Sequence, residues 1–113
     1  MHKRFSLKRL QGLDAKCMRL VFIKQNIPHL ENEAKFDLLF YCIFIMQESL
    51  RHFTGEDLQK AKSRVQEVLN EIAPVLPVPD ASMFKKLLLK MAQIHFLGTC
   101  KLLNFLVDIH ILT

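Results

Sequence analysis

The side chains of this chain best suited to chemistry are three cysteines and five histidines. A cysteine acts as a nucleophile only beside a base that activates it. His95 precedes Cys100 by five residues, a spacing that places the two on different faces of a helix. Asp108 and His110 are two residues apart and diverge in the same way. We therefore interpret these residues as packed side chains rather than as a catalytic pair.

The three cysteines show no pattern of a disulfide framework or a local metal site. Cys17, Cys42 and Cys100 are odd in number, form no CxxC pair and lie in apolar stretches. A zinc site made from these thiols and a histidine is geometrically possible after folding, although no local ligand pair supports it. We predict buried free thiols, no metal, no cofactor and a cytoplasmic location, since that compartment keeps thiols reduced.

Motifs that would indicate an enzyme are absent from the sequence. It contains no glycine-rich phosphate loop, no HExxH and no GxSxG, and three glycines could scarcely build a nucleotide cradle. The sequence therefore predicts a protein that is not an enzyme.

Charge is segregated along the chain. Residues 1–24 hold seven bases and one acid, residues 25–80 hold five bases and nine acids, and the remainder holds four bases and one acid. The first stretch could neutralise nucleic-acid phosphates, contact an acidic protein surface, or include a solvated flexible arm over residues 1–9. Its candidate contacts are Lys3, Arg4, Lys8, Arg9, Lys16 and Arg19.

Long regular helices fit the composition, because half of the 113 residues are apolar and only seven are Gly or Pro. We predict a single all-α domain, a small bundle of four to five helices. Apolar periodicity places helices at about 5–25, 30–53, 54–73 and 83–112, with residues 20–23 open to either helix or strand. The Pro-rich segment 74–80 is expected to be an extended connector.

Two helical regions are too apolar for an ordinary surface helix. Residues 38–46 are apolar on every side, which predicts a central core helix. Residues 83–112 are nearly as apolar and would span about 45 Å if unbroken. A compact domain of this size has a radius of gyration of roughly 13 Å, so we expect a break near Gly98. Neither region is expected to span a membrane. Residues 38–46 are too few to cross a bilayer, and residues 83–112 contain several polar side chains that would be costly inside it.

One short chain has too few helices to cover both apolar regions, so the excess surface predicts an interface with another protein, most simply a second copy. The predicted interface residues are Leu88, Met91, Phe96, Leu103, Phe105, Leu106 and Ile109. The expected function is a homodimeric regulator, inhibitor or chaperone-like adaptor that sequesters a partner protein. The alternative is a nucleic-acid-associated regulatory protein that uses the basic N-terminal segment.

Overall fold

The computed structural model of the protein describes residues 10–109, so the predicted flexible arm over residues 1–9 lies outside the described residues. Within the described range the chain forms five α-helices and no strand, which confirms the predicted all-α bundle. The helices are α1 (Gln11–Asn26), α2 (Glu31–His52), α3 (Gly55–Ile72), α4 (Met83–Ile94) and α5 (Phe96–Asp108), with a short 3₁₀ turn at Pro28–Leu30. Residues 20–23 belong to α1 and are helical.

Helix α2 is the centre of the molecule, and α1, α3 and α5 pack around it. Its apolar segment supplies six side chains that are at most 3% exposed: Leu38, Leu39, Cys42, Ile43, Ile45 and Met46. The facing helices contribute apolar residues to the same core, such as Leu13 from α1 and Val65 from α3. A helix that is apolar on every side is stable in water only when neighbours cover most of its circumference, and these three helices provide that cover.

Helices α2 and α5 run parallel. Four hydrogen bonds join residues that are the same 57 positions apart: Cys100 Sγ to the Ile43 carbonyl, Gln47 Nε2 to Asn104 Oδ1, Asn104 Nδ2 to the Gln47 carbonyl, and Arg51 Nη1 to Asp108 Oδ1. A constant offset over successive turns requires that both helices advance in the same direction. Helix α3 returns the chain to the start of α2, and α5 begins near this end, where Leu39, Ile72 and Phe96 line one cleft.

The segment between α3 and α4 is held by two side-chain amides. Gln93 accepts a hydrogen bond from the Val75 amide at 2.9 Å and donates to the Val75 carbonyl at 3.0 Å. Asn32 likewise accepts a hydrogen bond from the Leu76 amide at 3.0 Å and donates to the Leu76 carbonyl at 2.8 Å. Each side-chain amide thus pairs with both the backbone N–H and the backbone carbonyl of one connector residue, as a neighbouring strand would. This clamp fixes the connector to the start of α2 and the end of α4.

The break in the C-terminal apolar region is at His95, so the prediction of a hinge at Gly98 is wrong by three residues. His95 adopts an extended backbone, and its Nδ1 accepts a hydrogen bond from the Gly98 amide at 2.9 Å. Gly98 is inside α5 and provides room for this contact, because a Cβ there would come within 2.7 Å of Nδ1. Histidine is an uncommon N-cap residue, so the sequence does not indicate that a new helix begins directly after His95.

We predict that His95→Ala destabilises the protein by about 1 kcal/mol, because α5 loses the acceptor that caps its first turn. His95→Asn, which keeps a side-chain acceptor at this position, should lose less. Urea unfolding followed by circular dichroism measures both. Equal losses in the two variants would show that the cap contributes nothing.

Candidate interaction surface

A row of apolar side chains on α5 faces solvent. Leu102, Phe105 and Ile109 are between 41% and 57% exposed, and Leu106 beside them is half-buried. Their spacing of three, four and seven residues places them on one side of the helix, next to the side that packs against α2. We call these four residues the α5 flank.

Helix α4 carries a second exposed apolar row, which we call the α4 flank. It consists of Met83, Phe84, Leu87, Met91 and Ile94. Met91 is half-buried, and the other four are between 48% and 81% exposed. Helix α4 contributes only Leu88, Leu89 and Ala92 to the core and packs chiefly against α5, which leaves its other sides uncovered.

The two flanks differ in the charges that border them. Helix α4 carries Lys85, Lys86 and Lys90 and no acid. Helix α5 instead has one charge of each sign, Lys101 and Asp108, and Asp108 accepts a hydrogen bond from Arg51 at 2.9 Å. Two α4 helices from different copies would therefore repel each other, whereas two α5 helices can be electrostatically complementary.

The residues predicted from the sequence as the interface occupy three environments. Leu88 and Leu103 lie in the chain's own core, at 8% and 6% exposed, so a partner docking on the folded chain would not reach them. Met91, Phe96 and Leu106 are half-buried, and Phe105 and Ile109 are exposed.

Five exposed apolar residues of the two flanks are not among the predicted interface residues: Met83, Phe84, Leu87, Ile94 and Leu102. The apolar pattern covers nearly the whole circumference of both helices, so it does not reveal which residues the chain itself covers. The structure shows which side of α4 faces away from the core. Met83 and Ile94 are 81% and 79% exposed there, whereas Lys86 is half-buried.

Two bases in the described part of the basic N-terminal stretch, residues 1–24 (the basic head), share one carboxylate of the same chain. Lys16 Nζ and Arg19 Nη1 both contact Asp37 Oδ2, at 2.9 Å and 3.2 Å. Lys16 Nζ also lies 5.3 Å from the centre of the Tyr41 ring, a cation–π arrangement. The other predicted contacts, Lys3, Arg4, Lys8 and Arg9, lie outside the described residues. Lys16 and Arg19 thus hold α1 against α2.

A smaller apolar patch lies on the outer side of α1. Met18, Val21 and Phe22 are 73%, 52% and 58% exposed and share one face of the helix. Asp14, one turn before Met18, contacts Arg64 of α3. This patch is on a helix that does not border α4, so it is distinct from the two flanks.

The three cysteines converge on the core rather than on a surface. Burial raises the pKa of Cys100 to about 12, and burial together with the neighbouring Cys17 and Cys100 thiols raises the pKa of Cys42 to about 12. Burial also raises the pKa of Cys17, although the nearby Arg64 guanidinium opposes the shift. The thiols therefore stay protonated at neutral pH, which is unsuited to nucleophilic attack. Within residues 10–109 no three metal-ligating side chains are grouped to hold an ion.

A cleft of about 360 Å³ lies between α3, the connector and the start of α5. Its polar groups are the amides of Gln66, Asn70 and Gln93, and the rest of its described lining is apolar. Gln66 donates to Asn70 and Gln93 holds Val75, so these amides already have partners. The cleft offers a ligand no acid, base or nucleophile among these residues.

Comparisons with protein-family models, with curated proteins and with solved structures found no match for this chain. Across the described helices, none combines the length and the apolar character needed to cross a bilayer.

We predict that Cys17 reacts first with iodoacetamide at pH 8, because it is half-buried while Cys42 and Cys100 are fully buried and protonated. Mass spectrometry of the native protein over time should show one early adduct, with the other two appearing only after denaturation. Rapid labelling of all three thiols in the native protein would contradict the buried assignment.

The same burial makes stability fall at alkaline pH. The Cys42 and Cys100 thiols titrate near 9.0 when unfolded and near 12 in the native state, so the native state retains protons that the unfolded state loses. The contribution of each thiol is fully present below about pH 9 and is lost between pH 9 and 12, by roughly 1 kcal/mol per pH unit. Urea unfolding at several pH values measures the slope. Cys42→Ala should flatten it, and an unchanged slope would contradict the assignment.

Proposed function

We propose that this protein is a non-enzymatic helical interaction module that forms a homodimer through the α5 flank and regulates a partner protein by covering part of its surface. The observation that carries the proposal is the exposure of Phe105, Leu102 and Ile109 in one row on a helix whose adjacent side is packed into the core. Monomeric soluble proteins rarely leave contiguous apolar surface of this kind in water.

The charges at the border of the α5 flank favour a second copy as the occupant. Lys101 lies four residues before Phe105, and Asp108 lies three residues after it. When two α5 helices cross antiparallel near Phe105, Lys101 of each copy lies beside Asp108 of the other. A two-fold axis produces this arrangement twice, and every contact is matched by its symmetry mate. Opposite charges at both ends of the apolar row favour this orientation over a parallel one.

The expected affinity is modest. The interface would bury three exposed side chains and one half-buried side chain from each copy, which is less than an obligate homodimer buries. We therefore expect a dimer that dissociates on dilution.

The proposed role as regulator, inhibitor or chaperone-like adaptor is supported by the apolar surfaces that the dimer would leave exposed. The α4 flank and the α1 patch stay available to other proteins when α5 is covered, and both are apolar. The protonated, buried thiols suit a reducing compartment, and we place the protein in the cytoplasm on that ground. The described part of the basic head gives no support to the nucleic-acid alternative, because Lys16 and Arg19 are both bound to Asp37.

We predict that Phe105→Asp converts the dimer to a monomer without unfolding it, because the side chain is 57% exposed in the single chain and becomes buried only in the dimer. Size-exclusion chromatography with light scattering measures the mass, and circular dichroism measures the fold. Met18→Asp is the matched control, since Met18 is equally apolar and 73% exposed but lies on α1.

Leu103→Asp separates dissociation from unfolding. Leu103 is buried in the chain's own core, so this variant should lose stability whether or not the protein dimerises. A Phe105→Asp protein with wild-type mass, or a Met18→Asp protein with reduced mass, would overturn the assignment of the interface to α5.

A further inference from the structure

A groove runs between the connector and α4. Its apolar surface comes from Pro77, Met83, Leu87 and Leu89, and two lysines, Lys86 and Lys90, stand along it. Leu89 at the floor is only 1% exposed, while Met83 and Leu87 at the side are largely exposed. On α4 the two lysines lie between Leu89 on one side and Met83 and Leu87 on the other, so the groove combines apolar and basic side chains.

Both walls of the groove are fixed before any partner arrives. Gln93 binds the backbone of Val75, and Asn32 binds the backbone of Leu76, directly before Pro77. On the other wall, Ser82 Oγ caps the start of α4 by accepting a hydrogen bond from the Lys85 amide at 3.2 Å. A preorganised groove loses little conformational entropy when it binds a ligand.

The two lysines of the groove have no charge partner among the residues that the structure describes. Neither Lys86 nor Lys90 forms an ion pair with any residue between 10 and 109. They are four residues apart on α4, so their side chains leave the helix on the same face about 6 Å apart. Lys86 is half-buried, a position in which a carboxylate partner gains more than at a fully exposed lysine.

We propose that this groove binds an acidic amphipathic helix of a partner protein. Two carboxylates one helical turn apart on the partner match the spacing of Lys86 and Lys90. Apolar side chains beside them fill the space over Leu87 and Leu89 and contact Met83. This is the helix-in-groove mode of peptide recognition. The inference rests on the proposed binding function and names the chemistry of its partner, but it does not need the α5 dimer.

The shape of the site favours a protein segment over an anionic membrane, which also attracts lysines beside apolar side chains. An interfacial helix inserts side chains that project outward into the lipid. Here Leu89 is recessed between α4 and the connector. A side chain of a partner helix can reach this floor, whereas a lipid surface would contact only the outer side chains.

The test uses a fluorescein-labelled helical peptide made of leucine and glutamate, with leucines on one face and glutamates one turn apart along its border. Fluorescence anisotropy should show that the wild-type protein binds this peptide and that Lys86→Glu combined with Lys90→Glu weakens binding at least about tenfold. Leu87→Ala keeps both charges and should weaken binding by roughly fivefold, since it removes apolar contact.

Three controls make the result specific. Lys60→Glu combined with Lys62→Glu changes the net charge equally but lies on α3, and it should leave peptide binding unchanged. A peptide in which lysine replaces glutamate should not bind. Phe105→Asp should bind the acidic peptide like the wild type, and light scattering on the same samples reports dimerisation separately, so failure of one proposal is distinguishable from failure of the other.

Several outcomes would overturn the inference. These are equal binding of the acidic and basic peptides, no loss of binding in the Lys86 and Lys90 double variant, and equal losses in the α3 control. Lys86- and Lys90-dependent sedimentation with phosphatidylserine vesicles, together with no binding of the acidic peptide, would identify a membrane surface as the occupant instead.

Discussion

The enclosure of α2 is the constraint on which the rest of the structure depends. Its apolar segment, residues 38–46, needs neighbours on nearly every side, and α1, α3 and α5 occupy those positions. Each of these helices turns its most apolar face inward to do so. Phe44 is the main exception, at 42% exposed, and it lies beside Tyr41 on the side that borders α1. Once α2 is covered, the chain has one helix left, and α4 alone cannot cover the outer sides of both itself and α5.

The parallel packing of α5 on α2 determines where the uncovered surface lies. Helix α3 returns the chain to the start of α2, where Asn32 holds the connector, and α5 begins near this same end. The connector and α4 form an excursion between α3 and α5, which the hydrogen bonds between Val75 and Gln93 close. Helix α4 therefore attaches mainly to α5 rather than to the centre of the bundle. Its exposed row, its unpaired lysines and the groove beside the connector all follow from this position. The α5 flank remains exposed because α4 covers only part of its helix.

Much of the fold could be predicted from the sequence, because it depends on periodicity and on strong interrupting residues. The continuous apolar run of 38–46 identified the central helix, and Pro28 and Pro74 marked two helix ends. The break at His95 could not be predicted, since it depends on an imidazole that caps a helix over a glycine. The clamp by Asn32 and Gln93 joins residues that are distant in sequence and has no local pattern. The presence of excess apolar surface could be inferred by counting helices, but its location could not. Leu103 and Phe105 are equally apolar in the sequence, and only the packing of α5 on α2 shows that one is buried and the other exposed.

The central claim is that a second copy covers the apolar row of α5 in solution. Sedimentation equilibrium of the unmodified protein over a dilution series tests this most directly, because it reports mass without assumptions about shape. We expect a mass near twice the 13.2 kDa of one chain at high concentration, falling smoothly toward the single-chain value as the protein is diluted. A mass of one chain at every concentration, from a protein that stays folded and soluble, would contradict it.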